Sequence, residues 1–276
     1  MGYSIFDETM VDMTWPEIEE SIRQKAIVLF PVGVIEEHGP HLGLAVDIYV
    51  SYLQCKMAKQ DLDKKGIRTL IAPPLYWGIN NLTGCFPGSF CSRPETLKAV
   101  LYDALASLRN WGVEYAFTIN WHAEYRHNRA ILEAVKEARR ETGLKAYTCL
   151  AEYQSREFKL QGDEECILLH QIPVPPGSAD NPPDLHAGAL ETGIMLNYFP
   201  NQVKSEIVRS LPSPGVTIAD LTEAVKGRVE TRKLIPGGYF GEPAKYNPET
   251  GKAYMEAKVR AIVESIEKAV SLAQDQ

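Results

Sequence analysis

Positive charge and long apolar runs are scarce in this sequence. Its 29 Lys and Arg residues are outnumbered by 36 Asp and Glu residues, which gives a formal net charge of −7, and its most basic stretch, residues 226–233, is interrupted by Glu230. This balance disfavours binding to the phosphate backbone of nucleic acid. The longest apolar run, residues 26–35, falls well short of the about 20 residues that a membrane helix requires. We therefore expect a partner that is neither nucleic acid nor a membrane.

Cysteine is scarce as well, with five residues that form no Cys-x-x-Cys pair. Their odd number is typical of reduced thiols, and residues 1–8 lack the basic and apolar regions of a secretory signal, so we expect a cytoplasmic protein without disulfide bonds. The sequence also contains no Gly-x-Ser-x-Gly elbow, Walker phosphate loop, Gly-x-Gly-x-x-Gly fingerprint or His-Glu-x-x-His helix. These absences disfavour a nucleotide enzyme and the mechanisms that those motifs serve.

The sequence does contain metal-binding residue types just beyond an apolar run. Residues 26–33 are apolar, partly β-branched and end at a glycine, which predicts a buried strand that runs into a loop. Glu36 and His38 follow, two residues apart. Because side chains alternate along an extended chain, these two project to the same side and form a chelating pair. Glu37 lies out of phase with them, and we expect it to face solvent or to support a ligand.

A second pair of residues repeats the pattern. Residues 115–120 are again strand-like, and His122 and Glu124 follow with the same spacing. With Asp47, the two pairs supply five nitrogen and oxygen ligands and no thiolate. Such a set is too large for one open tetrahedral site but fits two divalent ions that share a carboxylate, for which Asp47 is the natural bridge. We therefore predict two divalent metal ions, zinc or manganese.

Strand-like and helix-like segments alternate along the chain, which is typical of a parallel sheet covered by helices on both faces. With 276 residues and 45% hydrophobic content, the chain suits a single α/β domain over residues 1–276. We predict strands over 26–33, 69–73, 115–120 and 145–150, helices over 47–64, 94–111, 128–142 and 188–198, and late helices over 220–233 and 256–273. Both ligand pairs then fall at the carboxyl ends of strands, where open parallel sheets bind ligands.

Three motifs follow one another along the chain: Glu36-x-His38-Gly39-Pro40-His41 with Asp47, then Asn120-x-His122-x-Glu124, then His186-Ala187-Gly188-x-x-Glu191-Thr192. In these motifs and their order the chain resembles the creatininase (creatinine amidohydrolase) family, over roughly residues 26–245. The resemblance implies a three-layer α/β/α creatininase-like fold with a mainly parallel central sheet. It also implies a metal-dependent hydrolase of a small molecule and a homo-oligomer, often a hexamer.

The resemblance further implies roles for individual residues. The ligands of a two-metal centre would be Glu36, His38, Asp47, His122 and Glu124. His186 is implicated in proton transfer, and we expect Glu191 to orient His186 or to touch the substrate, so these two are the candidate catalytic residues. Gly88 and Ser89 belong to a segment similar to the family's Phe-Pro-Gly-Thr loop near the substrate. We expect Trp121 either to wall the pocket or to pack in the core.

The expected reaction is the attack of a metal-bridging hydroxide on a carbonyl carbon, with His186 as the general acid. The resemblance favours cleavage of a carbon–nitrogen bond in a small, cyclic amide. Residues 78–83 and Leu185 depart from the family pattern near the pocket, so creatinine itself is disfavoured as the substrate. Two alternatives stay open: carbon–carbon hydrolysis that opens a keto-inositol ring, and a catalytically silent protein that binds metal or ligand.

Other polar segments have less specific interpretations. The loop over residues 172–183 is either an active-site lid or a surface crossing loop. His41 is expected either to support a metal ligand or to lie in an ordinary loop. His127 is expected to begin a helix, and His170 to be structural or exposed.

Overall fold

Parallel strands form the central sheet of the protein. The structure, a computed structural model, describes residues 4–157, 164–180, 183–227 and 229–271, and within these ranges the sheet has five strands. They are β1 Ile27–Val32, β2 Thr69–Ile71, β3 Tyr115–Asn120, β4 Lys145–Ala151 and β5 Ile167–His170, in the spatial order β2-β1-β3-β4-β5. Every neighbouring pair is parallel, so the carboxyl ends of these strands lie at one edge of the sheet.

Helices cover both faces of the sheet. In chain order they are α1 Trp15–Arg23, α2 Val46–Lys64, α3 Pro94–Asn110, α4 Tyr125–Thr142, α5 Glu152–Glu157, α6 Ala189–Tyr198, α7 Ser205–Val208, α8 Ile218–Val225, α9 Thr231–Leu234 and α10 Pro248–Ser271. Alternate residues of β1 face opposite layers. Val28 and Phe30 pack with α3 and α4, whereas Ile27 and Leu29 pack with α2, α6 and α10. The predicted three-layer fold with a parallel sheet is confirmed.

The register of the sheet places the two predicted ligand pairs side by side. Val32, the last residue of β1, is aligned with Asn120, the last residue of β3. The chain therefore leaves both strands at the same level. The amino ends of α2 and α6 reach this edge as well, with Asp47 as the second residue of α2 and Glu191 as the third residue of α6. Helix amino ends favour nearby negative charge, which suits both carboxylates.

Four strands and the early helices agree with the sequence predictions apart from small shifts at their ends. The single helix predicted over 220–233 is wrong, because α8 and α9 are separate and Gly227 between them has a φ of 71°, which a right-handed helix does not accommodate. The last helix begins at Pro248 instead of residue 256, and its predicted end at 272–273 lies outside the described residues. Strand β5 was not predicted, since four residues carry little periodic pattern.

Two further predictions meet the limits of the described chain. Residues 181–182 of the loop considered as a lid lie outside it, and the assignment of residues 1–276 to one domain stays a prediction. Among the described helices, none combines the length and the apolar character needed to cross a membrane.

Candidate metal centre

Four side chains converge in a buried cluster at the carboxyl ends of β1 and β3. Nδ1 of His122 lies 3.1 Å from Oε2 of Glu36 and 3.4 Å from Oδ2 of Asp47. Nε2 of His38 lies 3.9 Å from the same Asp47 oxygen. None of the four residues is more than 8% exposed. The structure thus brings together four of the five residues that the sequence nominates as metal ligands.

Glu191 joins this cluster from α6, with Oε2 at 3.7 Å from Nε2 of His38. Among the described residues, potential ligand atoms form three overlapping groups: Glu36, Asp47 and His122; His38, Asp47 and Glu191; and Glu36, His38 and His186. Asp47 belongs to the first two groups. Its carboxylate can therefore face two cations, as a bridging ligand does.

Glu124, the fifth nominated ligand, belongs to none of these groups. Its carboxylate accepts hydrogen bonds from the backbone N–H and the side-chain amide of Asn81, both at 2.7 Å. Burial raises the pKa of Glu124, although the nearby His122 and the bonds from Asn81 act in the opposite direction. Glu124 is thus held beside the cluster by one of the loop residues that depart from the family pattern.

Backbone carbonyls fix the orientation of both imidazoles. Nε2 of His122 donates to the carbonyl of Ile79 at 3.0 Å, and Nδ1 of His38 donates to the carbonyl of Glu36 at 3.1 Å. A carbonyl only accepts, so in the neutral rings the proton sits on these nitrogens. The other nitrogen of each ring then directs a lone pair into the cluster, as a metal ligand must.

Several buried atoms of the cluster have no hydrogen-bond partner within the described chain. They include Oε2 of Glu36, Nε2 of His38 and Oδ2 of Asp47. Leaving such atoms unpaired is costly, because burial removes the water that would otherwise satisfy them. Cations held by nitrogen and oxygen donors would satisfy these atoms together. The donor set therefore fits divalent metal ions.

Without cations, the cluster shifts the pKa values of its own members. Burial alone would lower the pKa of His122, but Glu36 and Asp47 override it and raise that pKa well above the usual value. Burial raises the pKa of Asp47. For Glu36, burial is outweighed by the neighbouring histidines, which bring its pKa well below the usual value. Metal binding would replace protons held by this cluster, so we expect it to release protons.

His186 reaches the cluster from a different part of the chain. It forms an isolated antiparallel bridge with Phe240, and its ring centre lies 4.4 Å from that of His38. Nε2 donates to the carbonyl of Glu37 at 2.9 Å and lies 3.5 Å from the carboxylate of the same residue. Burial opposes protonation, but Glu36 and Glu37 raise the pKa of His186 to about 10. A protonated imidazole in this position can act as a general acid.

Glu37 is buried, so of its two expected roles the solvent-facing one is wrong. Its Oε2 accepts the backbone N–H of Gly39 at 3.0 Å, while its own N–H donates to Oγ of Ser89 at 2.9 Å. Gly39 has a φ of 68°, a conformation that favours glycine. The tight turn after the first ligand pair therefore directs Glu37 toward His186.

The three nominated substrate-binding residues lie in different surroundings. Ser89 supports Glu37 as described above. Gly88 has a φ of 99° and packs beside Leu44. Trp121 is half-buried, and its Nε1 donates to Oε1 of Glu191 at 2.6 Å. Trp121 is thus connected directly to a member of the cluster.

Some contacts of the cluster have no clear signal in the sequence. The Thr83 hydroxyl donates to Oε1 of Glu36, and its loop stands out in the sequence only as a departure from the family pattern. His41 lies in a turn and is fully buried there, with Nε2 at 2.9 Å from Oγ1 of Thr192. His127 begins a helix as expected, lying in the first turn of α4, and it is buried there. These contacts join residues far apart in the chain, which local periodicity cannot report.

Fold and cluster together define an α/β protein with a candidate metal centre at the carboxyl edge of its sheet. The sequence profile of the creatininase family, described as creatinine amidohydrolase, matches residues 11–266. The chain therefore belongs to the creatininase family, and it is a hydrolase.

Relatives of known activity match most of the chain. The creatinine amidohydrolase of Pseudomonas putida is 23% identical over 272 residues, covering 96% of this chain and 97% of the relative. The mycofactocin precursor peptide peptidase of Mycolicibacterium smegmatis is 25% identical over 245 residues, covering 88% of this chain and 85% of the relative. A solved structure described as "Creatininase Mn" shares the fold, with a TM-score of 0.71 at 21% identity over 95% of this chain and 98% of that chain. The family and its relatives support a hydrolase that acts on amide bonds.

Proposed function

We propose that this chain is a two-metal amidohydrolase that cleaves the carbon–nitrogen bond of a small amide. The observation that carries the proposal is the convergence of buried ligand atoms without hydrogen-bond partners on Glu36, His38 and Asp47. A structural role would call for these polar atoms to be paired. A cation-binding role explains why they face one another.

Two overlapping ligand groups suggest how the cations would be shared. One would be held by Glu36, Asp47 and His122, and the other by His38, Asp47 and Glu191. Nitrogen and oxygen donors without thiolate suit zinc or manganese, and the name of the related manganese structure agrees with the second. We assign Glu191 to the ligands rather than to the orientation of His186, and keep Glu124 as a ligand candidate beside the centre.

Bound divalent cations would supply a water of lowered pKa as the nucleophile and polarise the carbonyl oxygen of the substrate. The protein would contribute the proton for the leaving nitrogen from His186, whose pKa is raised by carboxylates on Glu36 and Glu37. Trp121 would form part of the wall around the substrate, since its indole N–H is fixed on Glu191. These roles need no residue from outside the described site.

The two relatives described above match most of the chain, and their names refer to the hydrolysis of an amide and of a peptide. This favours cleavage of a carbon–nitrogen bond. The substrate is expected to differ from creatinine, because Asn81 and Thr83 in the departing loop hold carboxylates of the site. We also propose a homo-oligomer, on the family resemblance, to be checked by light scattering coupled to size-exclusion chromatography.

The sharing of Asp47 gives the proposal a specific test. Metal content is measured by elemental analysis on protein purified without added metal. We expect about two equivalents of zinc or manganese in the wild type. Asp47→Asn should lose both, because both groups use this carboxylate. His122→Asn and Glu191→Gln should each lose about one equivalent, because each belongs to only one of the two groups.

Glu152→Gln is the matched control, since Glu152 follows β4 at the same edge of the sheet but belongs to no ligand group. It should keep the wild-type metal content. If the wild type bound no stoichiometric metal even after reconstitution, the proposed metal centre would be contradicted. Metal-loaded protein is then screened with lactams, formamides and cyclic ketones, and hydrolysis of the ketones alone would overturn the assignment to carbon–nitrogen bonds.

A further inference from the structure

A lysine occupies a core position of the last helix. The buried face of α10 includes Tyr254, Met255, Val259 and Ile262, and Lys258 lies among them at only 3% exposure. The spacing of these positions is that of an apolar helix stripe. An apolar residue is expected at position 258, so the lysine requires a separate reason.

The ammonium group of Lys258 has no anionic partner in the described chain. It makes no hydrogen bond or ion pair there, whereas exposed lysines such as Lys64 pair with carboxylates. The ammonium group lies over the face of Trp121, 4.6 Å from the ring centre. Burial lowers the pKa of Lys258 to about 8, so the group remains largely protonated at neutral pH. A cation–π contact offsets only part of the cost of burying an unpaired charge.

His170 provides a second unpaired group beside this lysine. It is the last residue of β5, is 3% exposed, and has no hydrogen-bond partner on either ring nitrogen within the described residues. Burial, helped by the charge of Lys258, lowers the pKa of His170 to about 3, which keeps the ring neutral. A neutral imidazole offers one N–H donor. The two side chains together supply a positive charge and a donor, and they lack an acceptor that carries negative charge.

A groove at the surface borders His170. His170 lines a groove of about 740 Å³ whose helix wall includes Ala261 and Ser265. These residues follow Lys258 by three and seven positions, so all three lie on one face of α10. On the other side, Trp121 contacts both Lys258 and the candidate metal ligand Glu191. His170 thus lies on the groove side of Lys258, and Trp121 lies between Lys258 and the candidate metal centre.

We propose that Lys258 and His170 form a subsite for the carboxylate group of the substrate, next to Trp121. The substrate class would be small amides that carry a carboxylate, of which N-acyl amino acids are the simplest. The assignment of the ligand as substrate depends on the proposed function, whereas carboxylate binding depends on the subsite alone. A bound carboxylate would supply the counter-charge that the described chain does not give to Lys258.

The test compares N-acetylglycine with N-acetylglycinamide, which has the same shape without the charge, by isothermal titration calorimetry on the purified protein. The charged probe should bind wild type about tenfold or more tightly than the neutral probe. Lys258→Met should remove this preference and leave the melting temperature equal or higher, because a buried charge has been replaced by an apolar side chain. Lys252→Met, an exposed lysine of the same helix, is the matched control and should change neither quantity.

Further variants separate the possible failures. If Lys258→Met does not fold, His170→Phe gives the same comparison and should weaken only the charged probe. Asp47→Asn, which is expected to lack metal, should keep the preference for N-acetylglycine, so the subsite can stand even where the metal centre fails. Equal binding of the two probes to wild type would overturn the subsite. An unchanged preference for N-acetylglycine in Lys258→Met would also overturn the subsite. If that variant also had a lower melting temperature, Lys258 would have a structural role instead.

Discussion

The carboxyl edge of the sheet has two parts of opposite charge. Beyond β1 and β3, the carboxylates of Glu36 and Asp47 are buried with unpaired oxygens. Near the end of β5, Lys258 and His170 are equally buried and have no carboxylate partner in the described chain. Trp121 contacts both parts, through Glu191 on one side and Lys258 on the other.

The difference shows how one feature of a fold serves two kinds of ligand. Parallel strand ends and helix amino ends gather polar side chains at a single edge. Whether that edge attracts a cation or an anion depends on which charge is left unpaired after burial. The first part is deficient in positive charge and the second in negative charge, so a substrate with an amide and a carboxylate would complement both.

The largest expected effect comes from breaking the first part at Asp47. Asp47→Asn should reduce hydrolysis by about 10³-fold or more, because a metal site supplies several kcal/mol of transition-state stabilisation. Zinc or manganese at about 1,000 times the dissociation constant should stabilise wild type by about 4 kcal/mol and this variant by much less. Thermal unfolding with and without added metal checks the second outcome. An equal metal-induced shift in both proteins would contradict the shared role of this carboxylate.

Removing the proton donor should have the next largest effect. His186→Ala should lower kcat by about 10²- to 10⁴-fold, the usual contribution of a positioned general acid. Metal content should remain near that of wild type, because His186 is proposed to carry a proton and not a cation. Turnover is measured on the substrate found in the hydrolysis screen. Unchanged kcat in a variant that retains its metal would exclude the proton-transfer role.

The sequence predicts one part of this edge far better than the other. Glu36 with His38 and His122 with Glu124 each follow a strand with a spacing of two, which is a local signal, and Val32 and Asn120 confirm where those strands end. Most of the three-layer fold follows from the same kind of pattern.

Contacts between distant segments could not be predicted in this way. The approach of Glu191 to His38 depends on how α6 docks, and Thr83 reaches Glu36 from a loop without periodic pattern. Lys258 appears in the sequence as one charged residue on an amphipathic helix. Only packing reveals that it lies on the buried face, so no sequence motif predicts the second part of the edge.

The second part can be examined through the pH dependence of stability. The pKa of His170 falls from 6.5 to about 3 on folding, so the unfolded chain takes up a proton first as the pH falls. His170 therefore contributes stability that is present above pH 6.5 and is lost progressively toward pH 3. When the pH is lowered from 6.5 to 5, the free energy of unfolding of His170→Phe should fall by about 2 kcal/mol less than that of wild type. Denaturant unfolding of both metal-free proteins measures this, and parallel pH profiles would show that His170 is not buried in a neutral state.

The smallest effect is expected at Thr83, which contacts the candidate ligand Glu36 in the first part of the edge. The Thr83 hydroxyl donates to Oε1 of Glu36, while Oε2 of the same carboxylate belongs to the unpaired set. Thr83→Val keeps the shape of the side chain and removes the donor. Glu36 would then be less firmly oriented, and metal affinity should fall by about 10-fold, the lower end of the range for such supporting residues.

Competition with a chromophoric chelator measures that affinity for one cation at a time. Thr148→Val is the matched control, because Thr148 is a buried threonine of β4 whose hydroxyl accepts from Thr118 at 3.3 Å and not from a member of the cluster. Of the two proposed cations, only the one held by Glu36, Asp47 and His122 uses the carboxylate of Glu36. The loss of affinity should therefore be confined to that cation. Equal weakening of both would mean that Thr83 acts on the whole edge, and no weakening would mean that packing alone orients Glu36.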